Sequence, residues 1–333
     1  MLEAVIEAPL KQLSRQRDEE PELAATFRYT DAVGTRHALP VTVTTRGRTR
    51  LEVCDFPPLR LAFDPGQSAG TLFESERKLK LVRPCKRGKK GLDWLFLELG
   101  TYRGYNVITD YSFRVRQLQL TFIDTESRIG RISEQPAFFI EDDKDLASRI
   151  GRERIRPPKI DVTQMSRHET TYNLLFQYLV GNTDFAVKQG PSGEGCCHNG
   201  RAFTEPGKQR DWIVIPYDFD YAGIIDTDYA MPHEKLPIKK VTSRLYRGFC
   251  WQNELLPETI DLFNRRRSEL EAALIPPEVS ASKASRVRSY IDRFYAIVND
   301  PQELQVNLYS KCREPGSLPV RERTASPRRA SNR

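Results

Sequence analysis

The segment Phe113-Arg-Val-Arg-Gln-Leu-Gln-Leu-Thr-Phe122 constrains this chain most, because apolar residues recur in it with a period of two. Successive side chains of a strand point to opposite faces, so this spacing predicts a strand with one face on a core. Shorter runs of the same kind precede it at 25–30, 39–45, 59–63 and 78–82, with Arg50-Leu-Glu-Val-Cys54 resuming as a strand after a break at 46–48. Ala137-Phe-Phe-Ile140 follows as a short apolar strand. One helical spacing interrupts them, from Leu92 to Val107. From residue 143 the pattern changes, and helices are predicted over 143–151, 166–180, 257–275 and 287–299, with a strand at 213–216. A basic, proline-containing connector at 152–161 marks the boundary. The reading is an α+β protein with a β-rich part, 1–150, that carries one main helix, and a mainly helical part, 151–313. An Arg/Ser/Pro tail, 314–333, has the composition of disorder.

Bulk properties exclude several classes. No apolar run approaches the roughly 18 residues that cross a bilayer, so no transmembrane segment is expected. The first residues, Met1-Leu-Glu-Ala-Val-Ile-Glu, are acidic where a secretory signal would be basic and then apolar, which predicts no signal peptide in the chain as read. The net charge of +7 is mild, and no zinc finger, helix-turn-helix or aromatic RNA-binding signature accompanies it, so nucleic acid is not the expected partner. Six cysteines without a Cys-x-x-Cys argue against zinc ribbons and thioredoxin-like chemistry. Cys54 and Cys85 each flank a strand-like run and are one candidate pair; Cys197 and Cys250 are another.

The chemistry is concentrated in a few acidic positions. Ile213-Val-Ile-Pro-Tyr-Asp218-Phe-Asp220-Tyr-Ala-Gly223 delivers two carboxylates from the end of a β-branched run. Gly181-Asn-Thr-Asp184 brings another to the end of the helix predicted over 166–180. Hard divalent cations take several oxygen ligands, so Asp218, Asp220 and Asn199 are the candidate metal ligands for Mg²⁺ or Mn²⁺, with Asn182 a rival to Asn199. Asp184 is the candidate catalytic aspartate, placed to orient an attacking hydroxyl or take its proton. Lys80, on a strand, is the candidate phosphate lysine, and Glu98, on the next helix, is expected to hold it. Arg48 and Glu141 complete the nucleotide side, with Arg46 and Arg50 as further phosphate contacts. His198, beside Cys197 in a glycine-rich loop, reads as structural.

This order of residues resembles the protein-kinase-like superfold and, within it, the spore-coat kinase (CotH) family of secreted kinases. Three segments carry the resemblance: Thr45-Arg-Gly-Arg-Thr-Arg50, the run from Phe113-Arg-Val-Arg through Phe138-Phe-Ile-Glu141 to Asp145 and Arg149, and Ile215-Pro-Tyr-Asp218-Phe-Asp220. It implies a two-lobed kinase-like fold, with a β-rich N-lobe and a helical C-lobe. It also implies ATP and Mg²⁺ as cofactors, transfer to a protein or small-molecule hydroxyl, and an extracytoplasmic setting, periplasmic or secreted. Lys80 is the phosphate lysine by this likeness, Asp184 the catalytic aspartate, and Asp218 and Asp220 the metal ligands. The chain departs from kinases in lacking a GxGxxG loop and in separating Asp184 from Asn199 by 15 positions. These departures support the alternative of a pseudokinase or structural envelope protein. Adenylyl transfer at the same site is a third reading.

Overall fold

The computed structural model describes residues 1–126, 131–191 and 195–314; the tail expected to be disordered lies almost wholly outside them. Along the chain run β1 (Leu2–Ala8), α1 (Leu10–Arg15), β2 (Leu23–Thr30), β3 (Arg36–Thr45), α2 (Thr49–Val53), β4 (Leu59–Phe63), α3 (Pro65–Ser68), β5 (Lys78–Val82) and α4 (Gly88–Ile108). Then come β6 (Val115–Asp124), β7 (Arg131–Ile140), α5 (Asp143–Arg149), β8 (Glu153–Ile155), α6 (Arg167–Val180), β9 (Gly200–Thr204) and β10 (Ile213–Pro216). Four helices close the described chain: α7 (Leu256–Arg265), α8 (Arg267–Leu274), α9 (Ala281–Asn299) and α10 (Pro301–Asn307).

Seven strands close into a barrel in the order β1-β2-β3-β4-β5-β7-β6. Every neighbouring pair is antiparallel except the closing one, where β1 runs parallel to β6 from Leu2↔Leu118 to Ala8↔Asp124. This overturns the expected two-lobed kinase-like fold. The expected strands begin only at residue 25, and β1, which precedes them, is the element that turns an open sheet into a closed one. Closure leaves the barrel without a free edge strand. A second expectation also fails: Arg50-Leu-Glu-Val-Cys54 is the short helix α2 rather than a strand. Its period-two look rests on only two apolar residues before the cysteine.

Alternation sorts the barrel side chains. Ile6, Phe27, Val43, Leu61, Leu81, Leu118, Leu120 and Phe139 fill the interior. Phe138 and Ile140 of β7 point outward instead, onto the core that holds α4 and the C-terminal helices. The phase of the Phe113–Phe122 run reverses at Gln117: Phe113 and Val115 face that outer core, whereas Leu118, Leu120 and Phe122 face the barrel. Helix α4 is buried on nearly all sides, including the consecutive run from Trp94 to Tyr102. A helix apolar all round belongs inside a protein, and α4 packs between β6 and β7 on one side and α6 and α8 on the other. It is therefore a rigid post for anything it carries. The helix expected over 257–275 is broken at Arg266 into α7 and α8. Among the described residues, no helix is long and apolar enough to cross a membrane.

Three disulfides join Cys54 to Cys85, Cys196 to Cys197, and Cys250 to Cys312. The first matches the expected facing pair; Cys250 pairs with Cys312 and not with Cys197.

Candidate functional site

The site is built where the ends of α6 and β10 meet. Helix α6 terminates at Gly181, whose φ of +66° is the left-handed turn that ends many helices. The Asn182 N–H reaches back to the Gln177 carbonyl at 2.9 Å and closes the helix end. Asn182 is 1% exposed and its Oδ1 accepts the Asp184 N–H at 2.9 Å, so it shapes the turn rather than facing a ligand. The loop after β10 is stitched to this turn: Gly223 N–H donates to the Gly181 carbonyl and Ile224 N–H to the Val180 carbonyl, both at 3.0 Å. Those two bonds bring Asp184 and the Asp218/Asp220 pair onto one cavity of about 540 Å³.

Asp184 is held from the side. Its Oδ1 meets His198 Nε2 at 3.0 Å, and its Oδ2 accepts from Asn199 Nδ2 at 2.8 Å. The same Nδ2 also donates to the Asp184 carbonyl at 2.7 Å. The gap of 15 positions is closed by a return of the chain, with Ala186 and His198 exchanging backbone hydrogen bonds at 3.0 and 3.1 Å. Asn199 spends its donor on Asp184 and keeps its amide oxygen for another partner. His198, expected to be structural, is both a cavity-lining residue and a partner of Asp184.

Asp218 sits at φ +61° with its N–H donating to Tyr102 Oη at 2.9 Å, and its carboxylate lines the cavity. Asp220 is 6% exposed; its Oδ2 accepts from Arg50 Nε at 2.9 Å and from Tyr229 Oη at 3.1 Å. Arg50 also donates through Nη2 to Glu98 Oε2 at 2.6 Å. Burial works against the Arg50 cation, but Asp220 and Glu98 outweigh it and hold its pKa well above the usual value. Burial also pushes Glu98 up to about 7, with Arg50 opposing and Asp220 and Asp218 assisting. Asp220 is raised for the same reasons, so the carboxyl pair titrates as a unit around one guanidinium.

The expected pairing of Lys80 with Glu98 is therefore corrected: Arg50 holds Glu98, and Lys80 lies elsewhere. Lys80 Nζ bonds Asp143 Oδ1 at 3.1 Å and stands 4.5 Å from the centre of the Tyr217 ring. Arg154 and Arg201 reach Asp143 Oδ2 at 3.3 and 3.1 Å. Burial resists ionisation of Asp143, but the three cations prevail and keep its carboxyl below the usual range. Lys80 does not line the cavity, whereas Arg201 does. Glu141 is clamped by Arg149 through two bonds of 2.8 Å and stands off the cavity lining, which takes Ile140 in its place. Arg48 lines the cavity from the segment between β3 and α2, and Arg46 beside it bonds the Tyr217 hydroxyl.

The cavity is thus bipolar, with Arg46, Arg48, Arg50 and Arg201 facing Asp184, Asp218, Asp220 and Glu98. Among the described residues, no group of three or more His, Cys, Asp or Glu side chains is arranged to hold a metal ion by itself. The donors present are two carboxylates and an amide oxygen, all hard oxygen ligands. That set fits Mg²⁺, which keeps several waters and is commonly held by one or two carboxylates plus phosphate oxygens. The roles of Arg50 and Tyr229 were hidden in sequence. For Arg50 the signal was the Arg-Gly-Arg-Thr-Arg cluster that follows a strand; nothing in the sequence marked Tyr229. No family model matches this chain, and no curated protein is significantly similar to it.

Proposed function

We propose that this cleft carries out ATP- and Mg²⁺-dependent phosphoryl transfer to a hydroxyl of a protein or small molecule. One observation carries the reading: Asp184 with Asn199, and Asp218 with Asp220, come from separate parts of the chain onto one cavity whose other wall is arginine. Asp184 keeps 32% of its side-chain surface, enough to meet an acceptor, while His198 and Asn199 fix its orientation. In that position it aligns the hydroxyl and takes its proton. Asp218, the free side of Asp220 and the Asn199 oxygen would hold the cation. Mg²⁺ bound there supplies charge neutralisation on the phosphates. Arg46, Arg48 and Arg201 add fixed positive charge for an anionic substrate, and Arg50 keeps Asp220 aimed. The resemblance to the spore-coat kinase family is the reason for choosing a nucleotide among anionic ligands. It concerns these residues and not the architecture. Three disulfides support an oxidising, extracytoplasmic setting.

A binding protein without turnover is favoured by one feature: Arg50 is already engaged by two carboxylates. Thermal unfolding with ATP and Mg²⁺ followed by a turnover assay separates the two, since a ligand of the folded state raises the midpoint. The wild-type midpoint is expected to rise only with both present, Asp218→Ala to lose that rise, and Asp184→Asn to keep binding while losing turnover. Binding and turnover intact in Asp218→Ala would overturn the metal assignment. The mass added to an acceptor distinguishes phosphoryl from adenylyl transfer.

A further inference from the structure

We propose that Arg247 is the positioning residue of Asp184, gripping the backbone on both sides of it. The inference rests on the reading of Asp184 as the group that aligns the acceptor. Arg247 comes from the long coil between β10 and α7, and it does not line the cavity. Its Nη1 donates to the Thr183 carbonyl at 2.6 Å and to the Phe185 carbonyl, the two residues that flank Asp184. Its guanidinium carbon lies over the Phe185 ring, 4.7 Å from the ring centre, so a cation–π contact adds to the hydrogen bonds.

Two carbonyls two positions apart, drawn to one nitrogen, fix the direction of the side chain between them. The carboxylate contacts to His198 and Asn199 then set its rotation. Burial and the neighbouring Arg313 push the Arg247 guanidinium down to about 10, with Asp184 pulling the other way, so it remains a cation at neutral pH.

The grip is itself anchored. Arg313 donates through Nη2 to the Arg247 carbonyl. Arg313 N–H bonds the Gly248 carbonyl at 2.9 Å, and Cys250 N–H bonds the Arg313 carbonyl at 3.0 Å. The Cys250–Cys312 disulfide locks the same two segments covalently. The chain near its described C-terminal end is thus tied to Asp184 through a single guanidinium.

Arg244 provides a matched control. It lies three residues earlier and is also part-buried, and it too donates to carbonyls, those of Tyr178, Leu179 and Tyr290. None of these flanks Asp184. The experiment compares wild type, Arg247→Met, Arg247→Lys and Arg244→Met by MgATP turnover and by amide hydrogen exchange over 182–187. In Arg247→Met, kcat should fall at least about tenfold, because small misplacements of a reacting group are costly. KM for MgATP should stay within about twofold, because the phosphate contacts are untouched. Exchange over 182–187 should quicken in Arg247→Met and not in Arg244→Met. Arg247→Lys keeps the charge and one donor group, should fold where the Met variant fails to, and should recover part of kcat. An equal loss of kcat in Arg244→Met, or an unchanged kcat in both Arg247 variants, overturns this inference alone. No MgATP turnover by the wild-type protein overturns the proposed function, and this inference falls with it.

Discussion

Replacing Arg50 by Met should produce a stability loss that depends steeply on pH. The Arg50 side chain is 11% exposed, Glu98 5% and Asp220 8%, so the mutation strands two carboxyls away from water. Removing one partner of a buried ion pair costs about 3–5 kcal/mol, much of it the uncompensated charge left behind. The carboxyls escape that cost by taking protons. In the wild type Glu98 already binds a proton up to about pH 7, against an ordinary value of 4.5. Its folded pKa is raised, so its contribution is fully present below the unfolded value and is lost as pH rises through the folded one, by about 3 kcal/mol in all. Without Arg50 both carboxyls move higher still, and the loss continues above pH 7. Urea unfolding should therefore show Arg50→Met within about 1 kcal/mol of wild type near pH 5, and about 3–5 kcal/mol less stable near pH 8.5. A deficit of the same size at both pH values, or one below about 1 kcal/mol at the higher pH, would refute the reasoning. Arg50→Lys should rescue little, because one ammonium cannot reproduce separate Nε and Nη2 contacts to two carboxylates.

Two further outcomes follow from the same geometry. Gly181→Ala should cost roughly 2–4 kcal/mol in urea unfolding, because a Cβ there would lie 1.9 Å from Tyr290 Oη and the φ is left-handed. Gly34→Ala, with φ +89° and nothing within 4 Å, should cost only the backbone strain of about 1 kcal/mol; equal costs would show that the contact with Tyr290 is not decisive. Lys80→Met should cost about 1–2 kcal/mol and leave the MgATP-induced rise in midpoint intact, since Arg154 and Arg201 still pair Asp143. Loss of that rise in Lys80→Met, with retention in Arg48→Met, would return the phosphate role to the lysine.

Periodicity made most of the elements legible. The runs at 59–63 and 78–82 are β4 and β5 to the residue, and 166–180 and 213–216 fall on α6 and β10. What periodicity cannot carry is pairing. Leu2–Ala8 has a strand's alternation, but its partner β6 lies more than a hundred residues away. The partner of Cys250 was equally invisible, because cysteine spacing does not encode connectivity.

The residue types and their chain order named Asp184, Asn199, Asp218 and Asp220 as candidates for one oxygen-rich site, with Asn182 a rival to Asn199. The requirement for several hard donors is local chemistry, visible in a linear text. Which cation answers Glu98 was decided only by the fold. Lys80 lies mid-strand in β5 and Arg50 in the short helix α2 after β3, but which of them reaches Glu98 depends on barrel closure and on how α4 lies against it. Such contacts are set by packing between segments far apart in the chain, and no local pattern contains that information.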